Sequence, residues 1–249
     1  MIYIAIPAHN EDRVLGVLLW KIRKVMAEFG RDYEIVVFDD ASGDSTVEVL
    51  ARYSGLLPLT VIRSEERLGY SGAVERLLRD IVDRSPYPKR DVVVTLQGDF
   101  TENPEDFVPM VKAIEGGVDL VSGVTDSDQE DLPRGLRILR RIAPYVLGSA
   151  HSAAPVTDPL SGYRACRVIV VKKALRELAD GGALLTSDGW GANLQLLSRL
   201  VPHARRVEES PVRIALRHRE RESRFRFMDA FRSLLRVRRT TWTTGAVAG

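Results

Sequence analysis

Strand-sized apolar runs alternate with helix-period segments through the first 125 residues, in the order IYIAIP, VLGVLLWKIRKVMAEF, YEIVVFDD, STVEVLARY, LTVIRS, GAVERLLRDIVDR, DVVVTLQ, FVPMVKAIEGG and VDLVSGV. Runs separated by helices predict βαβ units on a mostly parallel sheet flanked by helices. Ligands of such sheets bind beyond the carboxyl ends of the strands. The segments to read are therefore PAHNE, DDASGDS, RSEERLGYSG, QGDFTENPED and GVTDSD, four of which carry acidic clusters among turn-forming residues.

From about Asp126 the pattern changes. SDQEDLPRG reads as a polar loop, LRILRRIAPYVLG as a helix with an arginine face, DPLSGYRACRVIVV as a turn entering an apolar run, and ANLQLLSRLV as a helix. RRVEESPVRIAL reads as a strand interrupted by Pro211. In FRFMDAFRSLLRVRR the spacing places Phe225, Phe227, Met228, Phe231, Leu234 and Leu235 on one broad helical face with arginines opposite.

A chain of 249 residues, 45% hydrophobic, buries a full core, and one domain is expected. No apolar run approaches the roughly 18 residues of a membrane span. The start, MIYIAIPAHNED, has no basic leader and reads as a first strand, and the single Cys166 allows no internal disulfide, so a reducing cytoplasm is expected. The net charge of +2 hides an asymmetry: residues 201–249 hold twelve Arg against five acids. Only six of the 36 basic residues are lysine, and the arginine fork suits phosphate. An anionic ligand or lipid surface near the C-terminal third is one reading; a solvated arginine-rich surface is the other. Nucleic acid is not expected, because no groove-reading or base-stacking module accompanies the charge.

No phosphate loop, dinucleotide fingerprint, zinc motif or nucleophile elbow occurs. Strand-end acids remain. Asp39 and Asp40 follow IVVF, and Ser42 or Asp44 is placed to cap a helix beginning near Ser45. A capping role covers Asp44 but not the adjacent like charges, which repel unless a ligand or donors use them.

IAIPAHNE, IVVFDDASGDST, LGYSGA, TLQGDFTENPED, VDLVSG, DPLSGYRA and EESPVR, in this order and spacing, resemble family 2 glycosyltransferases of the GT-A fold, and most nearly the dolichyl- or polyprenyl-phosphate mannose synthase branch. The resemblance runs from Ile2 to about Arg224. It implies an α/β, Rossmann-like, mostly parallel sheet in a domain of residues 1–224, with a nucleotide-binding half (1–125) and an acceptor-binding half (126–224), followed by a basic amphipathic segment (225–249). It also implies a metal-dependent hexosyltransferase. Pro7, Ala8, Asn10 and Glu11 match the loop that lines the nucleotide, Asp39 the acid near the base and Asp40 its neighbour, and Gly69 lies in the matching LGYSGA. Gln97, Gly98 and Asp99 take the acid-x-acid position that holds Mg²⁺ or Mn²⁺ on the donor diphosphate.

Here the chain departs from the pattern, since Gln97 replaces the first acid. Mg²⁺ keeps one or two protein carboxylates and completes its octahedron with phosphate oxygens and water. Asp99 with Gln97 as a neutral oxygen donor is therefore expected to bind the cation chiefly after the nucleotide arrives. The alternative is a relative that binds nucleotide-sugar without chemistry.

A second departure concerns the acceptor. Sugar transfer to an alcohol requires a base, but the family's acid is replaced by Asn193 or Gln195, whereas a phosphate monoester is already an anionic nucleophile. The expected acceptor is a polyprenyl-phosphate-like lipid. The runner-up is a hydroxyl of a small molecule or glycan, with Asp188 as base. Arg134, Arg137, Arg140 and Arg141 match the acceptor-side helix. RHRERESRF loosely matches a phosphate-clamping loop, with His218 and Arg221 departing from it and Arg219, Ser223 and Arg224 as candidate contacts. In DPLSGYRA, Asp158, Ser161, Gly162 and Arg164 match outright, and Arg164 is the first candidate for phosphate contact. Tyr163 and Trp190 are open to either stacking on the acceptor or core packing. The four histidines show no ligand spacing and read as structural or incidental. The final helix is placed either flat on an anionic cytoplasmic leaflet, as a peripheral anchor, or packed on the domain.

Overall fold

The computed structural model describes residues 1–125, 134–179, 182–213 and 227–238. Its strands are β1 (Ile2–Ala8), β2 (Tyr33–Asp40), β3 (Leu59–Ser64), β4 (Val92–Thr95), β5 (Leu120–Thr125), β6 (Arg164–Arg167) and β7 (Val207–Val212). Its helices are α1 (Leu15–Phe29), α2 (Thr46–Ser54), α3 (Gly69–Arg84), α4 (Phe107–Glu115), α5 (Arg134–Leu147), α6 (Ser149–Ser152), α7 (Val168–Arg176), α8 (Trp190–Leu200) and α9 (Phe227–Val237). The strands form one sheet in the order β3-β2-β1-β4-β6-β5-β7, parallel except where β6 runs antiparallel between β4 and β5.

Alternation along β1 builds a core on each face. Ile2, Ile4, Ile6 and Ala8 join Leu15, Leu19, Phe107 and Met110 from α1 and α4, while Tyr3 and Ala5 join Leu77, Val171 and Leu197 from α3, α7 and α8. The chain proceeds outward from β1 through β2 to β3 and then returns to β4 on the other side of β1. This reversal leaves a crevice between the carboxyl ends of β1 and β4, where doubly wound sheets bind ligands.

One local expectation is revised, and one apolar run departs from its own composition. β7 continues through Pro211 without a break, because β7 is an edge strand paired only with β5 and the missing N–H interrupts no central ladder. The β-branched run Val168–Val171, strand-like in composition, is the first turn of α7. Its amides at Val168 and Ile169 bond to the carbonyls of Asp91 and Pro88, and Val168, Val170 and Val171 are buried. Tertiary packing overrides propensity there.

Among the described residues, no helix is long and apolar enough to cross a membrane. Helix α9 packs on the domain: Leu234, Val237 and Phe231 close a small core with Leu139, Ala143 and Leu147 of α5 and Leu194 of α8. Met228 and Leu235 remain exposed.

Candidate active site

An open cleft at the β1/β4 crevice is lined by Pro7, Ala8, His9, Glu11, Asp40, Tyr70, Ala73, Gln97, Gly98 and Asp99. Six of the residues expected at the nucleotide from the sequence, together with Asp99, thus meet in one place. Gly98 is required there, since a Cβ would lie 2.9 Å from the Pro7 carbonyl oxygen, which is backbone and cannot swing away.

The loops after β1 and β2 are joined by their own polar groups. The Asn10 amide donates to Ser42 Oγ (2.9 Å), the Gly43 amide to Asn10 Oδ1 (2.7 Å) and the Glu11 amide to Thr46 Oγ1 (2.8 Å). His9 Nδ1 lies 2.7 Å from the Asp40 carbonyl oxygen, which gives a histidine read as structural or incidental a place in the wall of the cleft. Asn10, Ala41 and Phe100, one after each of β1, β2 and β4, hold positive φ angles of 55°, 52° and 58°. Such strain is retained where surrounding bonds over-determine the backbone. Asp44 contributes one of these constraints. Burial works against its ionisation, but the Thr46 hydroxyl and the amides of Thr46 and Asp12 outweigh burial and hold its pKa below the ordinary carboxylate value.

The two adjacent acids have different partners. Asp39 is fully buried; Oδ1 accepts the Ser42 amide (3.2 Å), and Oδ2 faces Arg63 Nε of β3 at 3.4 Å. Asp40 accepts the amides of Leu68 (2.6 Å) and Gly69 (3.0 Å) at the start of α3. A second carboxylate reaches the same helix start, where Asp188 Oδ1 accepts the Ser71 amide at 3.0 Å. Gly69, at φ 77°, makes room for it, because a Cβ would stand 3.1 Å from Asp188 Oδ2. Helix α9 holds this arrangement from behind: Ser233 Oγ accepts the Gly191 amide (2.8 Å) and donates to the Asp188 carbonyl (2.7 Å).

In the turn after β4, Asp99 Oδ1 accepts the amide and hydroxyl of Thr101 at 3.1 and 2.6 Å. Glu102, absent from the residues singled out in the sequence, is buried at 8% exposure and accepts the Gln97 amide at 2.8 Å. Its signal was present in GDFTENPED, as an acid three residues after Asp99.

The acceptor-side motif turns inward. Arg164 is 2% exposed; its terminal nitrogens donate to the carbonyls of Asn193 and Pro159, both at 2.9 Å. Burial lowers its pKa to about 10. In this conformation Arg164 braces the turn beneath the cleft, which corrects the expectation of an open phosphate contact. Ser161 is likewise buried. Tyr163 is 1% exposed and donates to the Asn103 carbonyl, so it serves packing, and Trp190 packs beside the α5–α9 core. Asn193 accepts from the Tyr70 hydroxyl (2.8 Å) and donates to the Leu160 carbonyl (3.0 Å); Gln195 accepts the amides of Thr186 and Ser187. Arg141 is exposed on α5. Arg134, Arg137 and Arg140 belong to α5 but their side chains lie outside the description, as do residues Arg219, Ser223 and Arg224 altogether.

Among the described residues no group of three or more His, Cys, Asp or Glu side chains forms a metal cage. Of the groups lining the cleft, the turn after β4 supplies one carboxylate, Asp99, and one neutral oxygen, Gln97, a pair that fits a hard cation completing its shell with phosphate oxygens and water.

Residues 3–175 match the family model for glycosyl transferase family 2. Over 176 residues the chain is 31% identical to a dolichol-phosphate mannosyltransferase of Pyrococcus furiosus, covering 68% of this chain and 47% of that protein. Over 133 residues it is 29% identical to an undecaprenyl-phosphate 4-deoxy-4-formamido-L-arabinose transferase of Pseudomonas fluorescens, covering 53% and 37%. The chain thus spans less than half of either relative. Among solved structures, glucosyl-3-phosphoglycerate synthase of Mycobacterium tuberculosis, in complex with Mn²⁺, UDP and phosphoglyceric acid, superposes with a TM-score of 0.60 at 24% identity, covering 95% of this chain and 75% of that one. The fold is the GT-A fold expected from the sequence.

Proposed function

Because the chain belongs to glycosyl transferase family 2, we propose that it moves a sugar, with inversion, from a nucleoside-diphosphate donor to a polyprenyl-phosphate-like acceptor. The observation that carries this reading is the meeting of Asp99, Gln97, Asp40 and Glu11 in the cleft at the topological switch point, with Asp39 buried at the end of the adjacent strand. Pro7, Ala8 and Gly98 let the backbone approach the nucleotide closely. Asp39, steadied by Ser42 and Arg63 at the end of β2, is assigned to the base side of the nucleotide site. Asp99 and Gln97 would hold a divalent cation brought with the donor, which when bound would supply neutralising charge for the departing diphosphate.

In the transfer step, a phosphate oxygen of the acceptor bonds to the anomeric carbon while the bond from that carbon to the diphosphate breaks, and the nucleoside diphosphate leaves with the electron pair. The acceptor is already anionic, so no proton has to be removed. Asn193 and Gln195 are neutral amides that cannot take up a proton, which supports a reaction without a side-chain base from α8, and Asp188 Oδ1 is bonded to the Ser71 amide. Arg141, with Arg134 and Arg140 of the same helix and Arg219, Ser223 and Arg224, is assigned to orient the acceptor phosphate by charge-assisted hydrogen bonds. Met228 and Leu235, exposed on α9 beside Arg232 and Arg236, suit peripheral contact with an anionic leaflet.

Two measurements test the reading. Thermal shift with UDP and GDP, with and without Mn²⁺, is expected to show stabilisation that depends on the cation, since a ligand bound only by the native state raises its stability. A transfer assay should give turnover with detergent-solubilised polyprenyl phosphate. Turnover confined to water-soluble alcohols rejects the lipid acceptor.

A further inference from the structure

Glu102 is a buried acid to which the reaction above gives no part. Residues 97–102 close on themselves: Phe100 turns the backbone back at φ 58°, Asp99 fastens Thr101, and Glu102 Oε2 accepts the Gln97 amide at 2.8 Å. The carboxylate is thereby carried to the backbone of the very residue whose side chain is neutral where the family pattern has an acid. The carboxylate stands behind the backbone of Gln97, which itself lines the cleft. After burial, Glu102 is the leading influence that raises the pKa of Tyr70, a cleft-lining residue, and of Tyr163. Near neutral pH Tyr70 and Cys166 are uncharged, so Glu102 also acts, with Asp158, on the buried Arg164 guanidinium.

We infer that Glu102 is a positioning residue that supplies, from beneath the turn, the negative charge that Gln97 lacks, so that cation-assisted nucleotide binding survives the exchange of acid for amide. The inference rests on the proposed nucleotide–cation reading of the same cleft and assigns the charge within it to a residue that does not itself line the cleft.

The test is calorimetric. The affinities of UDP and GDP are measured in Mn²⁺ and in chelator for the wild-type chain, for Glu102→Gln, and for the double variant Gln97→Asp/Glu102→Gln, with the melting temperature of each recorded. Glutamine at 102 keeps an oxygen for the Gln97 amide and removes only the charge. Mn²⁺ is expected to strengthen nucleotide binding by the wild type, Glu102→Gln to lose about tenfold of that gain, and the double variant to recover it without recovering any loss in melting temperature. A role confined to stability would lower melting in both variants and leave the Mn²⁺ gain untouched; that result overturns the inference alone. A wild-type chain whose nucleotide affinity ignores Mn²⁺ overturns the underlying reading and the inference with it.

Discussion

The loops after β1, β2 and β4, on one side, and the start of β6 with α8, on the other, both carry polar side chains, yet they use them in opposite directions. In the first region, cross-loop hydrogen bonds engage Asn10, Ser42, Asp44 and Thr46, and Glu11, Gln97 and Asp99 line the cleft. In the second, Arg164 and Asn193 face inward and satisfy the carbonyls of Pro159, Asn193 and Leu160. The difference teaches that a motif states which chemistry is present and not which way it points. A buried arginine bonded to backbone carbonyls serves the architecture, because the cost of burying its charge is offset only while those partners remain.

The comparison breaks most readily at Asp99. Asp99→Asn is expected to reduce sugar transfer about 100-fold or more at an unchanged melting temperature; a variant with near-normal turnover would remove the first region's claim to the chemistry. The second region is tested by Arg164→Met, expected to cost about 3 kcal/mol of stability in urea unfolding, since two carbonyls lose a charged donor. If the variant instead melts normally and weakens only acceptor binding, Arg164 belongs to the site after all.

Asp188 sharpens the contrast. Asp188→Asn keeps an oxygen for the Ser71 amide and is expected to stay within roughly fivefold of wild-type turnover, whereas loss of the Asp188 carboxylate as a general base would lower kcat about 100-fold. The smallest effect is expected at Asp44. Its folded pKa lies below the ordinary carboxylate value, so its contribution is complete above that ordinary value and lost as pH falls through the lowered one. Asp44→Ala should cost about 1 kcal/mol at neutral pH and nothing once the native carboxyl is protonated, as read from urea midpoints across an acid series.

Much of the first region was legible in the chain. Alternating periods exposed the βαβ units, and a parallel sheet binds its ligands at the carboxyl edge, so PAHNE, DDASGDS and QGDFTENPED were the segments to read; the resemblance to family 2 glycosyltransferases then singled out Pro7, Glu11, Asp40, Gln97 and Asp99 within them. The second region was less legible because its elements depend on distant partners. Val168–Val171 has the composition of a strand and becomes helix where Asp91 and Pro88 accept its first amides. His9 and Glu102 escaped notice for a related reason: neither has spacing that marks a ligand, and each gains its place only when another loop arrives beside it.

By itself the sequence determined the parallel α/β architecture, the edge at which chemistry would gather and the identity of the acids found there, since strand and helix periods and turn residues are local properties of the chain. Only the tertiary structure decided the direction of Arg164, the pairing of two carboxylates on one helix start and the return of Glu102 to the backbone of Gln97. Those outcomes depend on which donors and acceptors are brought within about 3 Å of one another, and contacts across such sequence separations are settled only when the whole sheet and its loops have closed.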